Sequence, residues 1–403
     1  MTPWLVPILR VVDICATMAS VPAVLAAGYL ELLAVMSIPN RGRRPPKTHP
    51  FFDVIIPAHD EEAQIAATVA DVLSIDYPRE SFHVVVVADN CTDATAEIAR
   101  ASGAEVLERI DPDKRGKGYA LACAFAKSLE RGRAHAVVVV DADTYVSKNL
   151  LQAFAARLEA GEEIVQAEYC VRNPNVSWRT RLMVIALALF HTLRSRARES
   201  LGVSCGLRGN GMGFSSRVLR DVPYNAFSIV EDVEYGIRLG EAGYRVAYVG
   251  EAAVLGEMVA KGADARSQRQ RWESGRRDLA RAHGWRLIRR GLAERSGLLL
   301  DLGADLLLPP LTRITMWIVL GLTTSVVVAT LGLRSGITPF AWLPWTAAAI
   351  GVVAYVLRGV QLSGVGVRGV LDLFWAPVFV AWKLLLPAVR PPTWVRTTRE
   401  KAK

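Results

Sequence analysis

Apolar residues are grouped along this chain in two distinct ways. Ile14 to Leu30, Ile314 to Leu333 and Ser335 to Leu357 are long uncharged runs. With their shoulders each approaches the roughly 20 residues that a helix needs to cross a bilayer core. From Phe51 onward the pattern is different: short β-branched blocks alternate with polar, Ala-rich stretches. Val54-Ile55-Ile56, Val84 to Val87 and Val137 to Val140 predict strands, the first broken by Pro57 and the last buried on both faces. Tyr244 to Tyr248 predicts a further strand. Strands and helices in alternation predict an α/β domain, a sheet covered by helices.

Two later segments are apolar but interrupted. Leu298 to Leu308 carries Asp301 and Asp305, whose spacing puts both acids on one helical face, and Pro309-Pro310 closes it. It reads as an interfacial helix. Leu371 to Pro387 contains Asp372, Pro377 and Lys383. If it crossed a bilayer, the basic tail from Arg390 to Lys403 would lie outside, so an interfacial or re-entrant helix is expected. Arg41, Arg43, Arg44 and Lys47 follow the first long run, whereas only Arg10 precedes it, which is the reverse of a secretory signal. The positive-inside rule then predicts a multi-pass protein of the cell's inner membrane, with its central domain and basic tail in the cytoplasm. The expected divisions are a membrane anchor at 1–48, the α/β domain at 49–285, and interfacial helices with a membrane hairpin at 286–403.

Composition supports this picture: 51% of residues are hydrophobic, and the mean hydropathy is +0.24. The net charge of +9 raises the question of nucleic acid, but the arginines crowd beside apolar segments and no reading motif accompanies them. An anionic membrane surface suits that distribution better. Five cysteines without metal-ligand spacing support neither a zinc site nor a disulfide framework, so a reduced compartment is expected.

The chemistry lies at the strand ends. The three predicted strands run into Ala58-His59-Asp60-Glu61-Glu62, Ala88-Asp89-Asn90 and Asp141-Ala142-Asp143. Packing does not require carboxylates there, and a shared ligand-binding edge explains all three together. An Asp-x-Asp pair can hold a hard divalent cation. Gly116-Lys117-Gly118 precedes a helical stretch and suits an anion, since the glycines admit close backbone approach and the ammonium reaches out. Farther on lie the glycine-dense Arg208 to Gly213 and an acidic pair, Glu231-Asp232, that opens an amphipathic helix ending near Gly240 or Gly243. The basic stretch from Lys261 to Arg290 contains Gln268, Arg271 and Trp272. Its arginines suit diphosphate oxygens or lipid headgroups, and its indole suits a sugar face.

In this order the motifs resemble the membrane-bound family 2 glycosyltransferases, which include cellulose, hyaluronan and poly-N-acetylglucosamine synthases and ceramide glucosyltransferases. The resemblance covers roughly Phe51 to Trp272 and the flanking membrane helices. It implies a GT-A fold, Rossmann-like, taking a nucleotide-diphosphate sugar (UDP-Glc or UDP-GlcNAc as expected donors) together with Mg²⁺ or Mn²⁺. It further implies that Pro57, Ala58, Glu61 and Asp89 border the nucleoside, and that Lys117 and Asp141 face the diphosphate. Asp141 and Asp143 would hold the metal, and Asp232 would be the base of an inverting transfer. Glu231, Gln268, Arg271 and Trp272 would meet acceptor and diphosphate.

Two departures from the family pattern stand out: Val230 precedes the acidic pair where many members have threonine, and Asp60 replaces a common asparagine. The expected acceptor is a polysaccharide or a lipid-linked molecule, with single-step glycosylation of a membrane lipid as the alternative. Three spans are too few to enclose a polymer channel, so a membrane partner, a homo-oligomer or a lipid acceptor is implied. A non-catalytic scaffold of the same fold is disfavoured by the intact Asp143, Asp232 and Arg271.

Overall fold

The structure, a computed structural model, describes residues 5–39, 45–172, 178–256, 272–334 and 338–375. Eight strands form one sheet: β1 (Phe52–Ala58), β2 (Phe82–Asp89), β3 (Glu105–Arg109), β4 (Ala136–Val139), β5 (Thr144–Val146), β6 (Ile164–Val171), β7 (Met212–Ser215) and β8 (Ala247–Gly256). Their spatial order is β3-β2-β1-β4-β7-β6-β8-β5. The first four are mutually parallel, while β7 runs antiparallel to both β4 and β6. The helices are α1 (Leu5–Met36), α2 (Ile65–Leu73), α3 (Thr95–Ala101), α4 (Lys117–Arg131), α5 (Leu150–Glu159), α6 (Trp178–Leu187), α7 (Arg194–Ser200), α8 (Ser216–Asp221) and α9 (Glu231–Glu241). Then come α10 (272–279), α11 (Trp285–Ala293), α12 (Gly297–Leu307), α13 (Leu311–Arg334), α14 (Trp342–Ser363) and α15 (Gly366–Asp372).

The valine blocks account for the centre of the sheet. Alternate residues of β1, β2 and β4 enter two separate cores, with Val54, Ile56, Val84, Val86 and Val138 on one face and Ile55, Val85, Val87, Val137 and Val139 on the other. A strand lined on both faces needs apolar residues at every position, which is what these runs provide.

Pro57 does not break its strand, contrary to the sequence expectation. β1 continues through Pro57, opposite Val87, to Ala58. Pairing with β4 stops at Ile55 and Val139, and the Val140 amide donates to the Ile55 carbonyl at 3.0 Å. The missing proline N–H therefore points where β4 has already turned away, a position where proline is tolerated. The strand expected at Tyr244 to Tyr248 instead begins at Ala247 and runs to Gly256; Tyr244 is used by its hydroxyl, which donates to Asp221 at 2.7 Å.

Three helices among the described residues are long and apolar enough to cross a membrane: Val6–Met36, Leu311–Gly332 and Trp342–Ser363. The first extends well beyond the predicted run on both sides. They pack together around Leu30, Leu33, Ile318, Trp345 and Tyr355. A feature not anticipated is the near-continuous helix formed by α6, a π-helical stretch Ala188–Leu193, and α7. It lies in sequence between β6 and β7, yet its Ile185, Leu189, Leu193 and Ala197 belong to the membrane-helix core. The spacing of four that places Asp301 and Asp305 on one face of α12 is present, and that face is turned inward: Asp305 meets Arg194 at 2.9 Å, Arg198 at 2.7 Å and Arg276 at 2.9 Å. The apolar segment beyond Trp375, the tail, and Arg41, Arg43 and Arg44 lie outside the described residues.

Candidate active site

β1 connects onward to β2 on one side and pairs with β4 on the other, so the chain reverses its direction of travel across the sheet between β1 and β4. At such a switch point the two following loops diverge and leave a crevice at the strand C-termini. Asp141 and Asp143 follow β4 directly into that crevice. The Lys117 ammonium reaches across it to the Asp141 carboxylate and donates to the Gly209 carbonyl at 2.6 Å.

Local sequence explains how Lys117 gets there. Gly116 has φ +122, a backbone conformation L side chains rarely adopt, and so sets the entry into α4. Gly118 passes so close to the next loop that a Cβ would sit 2.3 Å from the Ala226 carbonyl oxygen. The same loop is joined to α4 by Tyr119 stacked on Phe227 at 4.3 Å.

β7 enters the sheet from this edge because it is antiparallel to β4, and the glycine-dense turn before it closes the crevice. Asn210 is the buried organiser. Its Oδ1 accepts the Asp141 amide at 3.1 Å and its Nδ2 donates to Thr144 Oγ1 at 2.8 Å. Gln166, fully buried in β6, donates to the Asn210 carbonyl at 2.8 Å and accepts the Arg208 amide at 2.9 Å. Neither residue was singled out from the sequence, although a glutamine within the apolar Ile164-Val165-Gln166-Ala167 run is a usable signal.

Glu231 and Asp232 open α9 and approach from the far side of the turn. A Cβ on Gly209 would lie 3.5 Å from Asp232 Oδ2 and 3.8 Å from Lys117 Nζ, so the lysine, the turn and the aspartate form one group. Burial pushes the Glu231 carboxyl up to about 7; Lys117 opposes the rise and the Asp232 charge adds to it. Burial also raises Asp232, against the Val233 amide, Lys117 and Arg208. For Lys117, burial disfavours the ammonium, but Asp141, Glu231 and Asp232 outweigh it and hold the pKa above the ordinary lysine value. A carboxyl raised towards neutrality beside a fixed cation is suited to accepting a proton near pH 7.

The other expected donor residues line the adjoining strand ends. Asp89 ends β2 and accepts from Arg109 Nη1 at 2.6 Å and Asn90 Nδ2 at 3.1 Å. Arg109 is a third residue not singled out from the sequence; it also holds Asp111 at 3.0 Å. Ala58 is buried and Pro57 half-buried. The Glu61 amide donates to Thr95 Oγ1 at 2.7 Å. Asp60, which departs from the family pattern, has φ +55 and accepts the Thr92 amide at 2.6 Å, so it shapes the loop between the first two strands. Trp272 is half-exposed at the start of α10. Gln268 and Arg271 lie outside the described residues.

Whether a divalent cation suits this crevice can be judged from its donors. Asp141 and Asp143 offer hard carboxylate oxygens two residues apart, and the Asp141 carboxylate acts on that of Glu231, with Lys117 as the cation between them among the described residues. Hard donors with surplus negative charge fit Mg²⁺ or Mn²⁺ and do not fit a soft metal.

Residues 49–275 match the family described as glycosyltransferase like family 2. The chain is 27% identical over 234 residues to a beta-monoglucosyldiacylglycerol synthase of Nostoc sp., covering 56% of this chain and 49% of that protein. It is 23% identical over 322 residues to glucomannan 4-beta-mannosyltransferase 1 of Oryza sativa, covering 71% of this chain and 60% of that protein. The chain thus spans about half the length of the Nostoc relative. Among solved structures, a mannosyltransferase from Pyrobaculum calidifontis in complex with GDP-Man and Mn²⁺ superposes with a TM-score of 0.55 at 19% identity, over 87% of this chain and 98% of that one. That likeness identifies the fold as GT-A.

Proposed function

The chain belongs to the family 2-like glycosyltransferases, and from that premise we propose that it transfers a sugar, with inversion, from a nucleotide-diphosphate sugar to a hydroxyl of a membrane-lipid acceptor. The observation that carries this reading is the Lys117, Asp141 and Asp232 group around the glycine turn, with a fixed cation on one side of a crevice and a raised carboxyl on the other. Asp232 takes the proton of the acceptor hydroxyl as its oxygen attacks the anomeric carbon. Lys117, anchored by Asp141 and the Gly209 carbonyl, faces the departing diphosphate. When bound at Asp141 and Asp143, a divalent cation supplies further counter-charge to that diphosphate. Pro57, Ala58, Glu61 and Asp89 border the nucleoside, and Gln268, Arg271 and Trp272 serve the acceptor side.

A lipid acceptor is favoured over a growing glycan by the packing of the inserted helix α6–α7 against the candidate spans, since Arg208 of the glycine turn reaches Ser195 of that helix at 3.5 Å. A glycan remains the second reading, supported by the glucomannan mannosyltransferase relative. Purified protein in lipid, incubated with a panel of UDP- and GDP-sugars and Mg²⁺ or Mn²⁺, is expected to give a singly glycosylated lipid. A ladder of products would favour the glycan, and neither nucleotide release nor transfer with any donor would overturn the reading.

We also place the transferase domain, 49–285, on the cytoplasmic face. In a background lacking native cysteines, single cysteines near Arg43 and Lys401 are expected to be shielded from an impermeant thiol reagent in intact cells, while one near Arg334 labels. Labelling at Lys401 would make the last apolar segment a true span and reverse the tail.

A further inference from the structure

Behind the acid pair lies a buried set of charges that the transfer mechanism above does not use. Four guanidiniums, Arg194, Arg198, Arg208 and Arg276, gather beside two carboxylates, Asp301 and Asp305. Asp305 pairs with Arg194, Arg198 and Arg276, and Asp301 faces Arg198 at 3.0 Å while accepting the Tyr29 hydroxyl at 2.8 Å. Arg208 is the one left over. Among the described residues it has no carboxylate within ion-pairing distance; its Nη2 donates to the Cys205 carbonyl at 2.9 Å and reaches Ser195 Oγ at 3.5 Å. Its Nε is closed off from solvent without a hydrogen-bond partner, as is Nδ1 of nearby His191.

Three of the guanidiniums surround a single ring, with Arg194 and Arg208 at 5.0 Å and Arg276 at 5.4 Å from the centre of Phe190. A buried guanidinium with an orphaned donor is unfavourable unless a ligand completes it. Arg208 adjoins Gly209, the residue whose other neighbour in space is Asp232. On its far side the cluster meets Tyr29 of α1, whose hydroxyl accepts from Arg198 Nη2 at 2.7 Å, and Tyr355 of α14, whose hydroxyl accepts from Arg194 Nε at 3.0 Å.

We propose that Arg208, backed by Arg194 and Arg276 around Phe190, binds the phosphodiester of an anionic phospholipid whose free headgroup hydroxyl is the sugar acceptor. This rests on the transferase reading above and narrows its acceptor. A phosphate at Arg208 puts a hydroxyl a few bonds away within reach of Asp232, and the contacts to α1 and α14 put the acyl chains on the membrane side. In the transfer the headgroup oxygen bonds to the anomeric carbon and its proton passes to Asp232. The anomeric bond to the diphosphate breaks with its electron pair leaving on the nucleoside diphosphate, and the phosphodiester itself is unchanged.

The test uses the full-length protein in phosphatidylcholine vesicles doped with either phosphatidylglycerol or diacylglycerol, with the nucleotide sugar found active in the donor panel. Wild type is expected to use phosphatidylglycerol about tenfold or more better than diacylglycerol, the worth of one charge-assisted contact. Arg208→Gln is expected to raise KM for phosphatidylglycerol and abolish the preference while nucleotide-sugar binding persists, and Arg208→Lys to restore part of it. Equal or better use of diacylglycerol by wild type overturns the proposal whether or not the variants fold. So does an equal loss on both lipids in Arg208→Gln, which would leave Arg208 as a charge partner of Asp232 alone. Glycerol 3-phosphate accepting as well as the lipid would replace the lipid headgroup by a free phosphate ester. Transfer to neither lipid together with no donor binding would instead count against the transferase reading itself.

Discussion

Asp232→Asn is expected to lower turnover by about 10²-fold or more while leaving nucleotide-sugar affinity close to wild type. The substitution keeps the shape of the side chain and removes only its capacity to take a proton. Donor binding is expected to persist because Lys117 is held by Asp141 and the Gly209 carbonyl, with no direct bond to Asp232. The pH dependence follows from the same pair. The base must be deprotonated to act, so raising its pKa moves the loss of activity to higher pH. With Glu231 pushed up to about 7 and Asp232 raised beside it, kcat/KM should fall as pH drops through neutrality, with a limb that belongs to the two carboxyls jointly. Glu231→Gln removes the neighbouring negative charge and should shift that limb downward in pH with a milder effect on turnover. Near-normal turnover in Asp232→Asn would make Asp232 merely an acid at a helix start, with the base elsewhere.

Asp143→Ala is expected to abolish transfer and to uncouple donor binding from divalent cation. Asp141 is already engaged by Lys117 and by its amide contact to Asn210, so Asp143 brings the second hard donor after β4. Binding of the nucleotide sugar, titrated with and without Mn²⁺, separates this from general damage: wild type should bind more tightly with the ion, and the variant should bind equally with or without it. A variant as active as wild type, with both unaffected by EDTA, would remove the cation from this site.

Much of the crevice was legible because its determinants are local. A valine run needs both faces covered, and the acids after it have no packing reason to be there, so Asp89 and Asp141 could be placed at one edge before any pairing was known. The Gly-Lys-Gly turn and the acidic pair at α9 were legible for the same reason. What escaped was long-range. Nothing near Pro57 announces that β4 has departed by that point, so a proline that is tolerated reads as one that breaks. Asn210 and Gln166 matter only because β7 is inserted between β4 and β6. The spacing of Asp301 and Asp305 gave their common face, but the arginines that the face meets come from helix α7 and from α10, one of them separated from Asp305 by 111 residues.

That separation has a consequence during synthesis. Arg194 on α7 takes partners from α12 and α14, Tyr355 lying 161 residues later in the chain. At about 5–20 residues per second, the ribosome delivers those partners roughly six to thirty seconds after the arginine. The sheet edge formed by β1 to β4 can assemble early from contiguous chain, whereas α7 and its unpaired guanidiniums must wait for the last helices to arrive and insert. Maturation of the nascent chain is thus gated by its C-terminal helices: a polypeptide truncated before α12 would hold the donor-side strands yet leave Arg194 and Arg198 without Asp301 and Asp305.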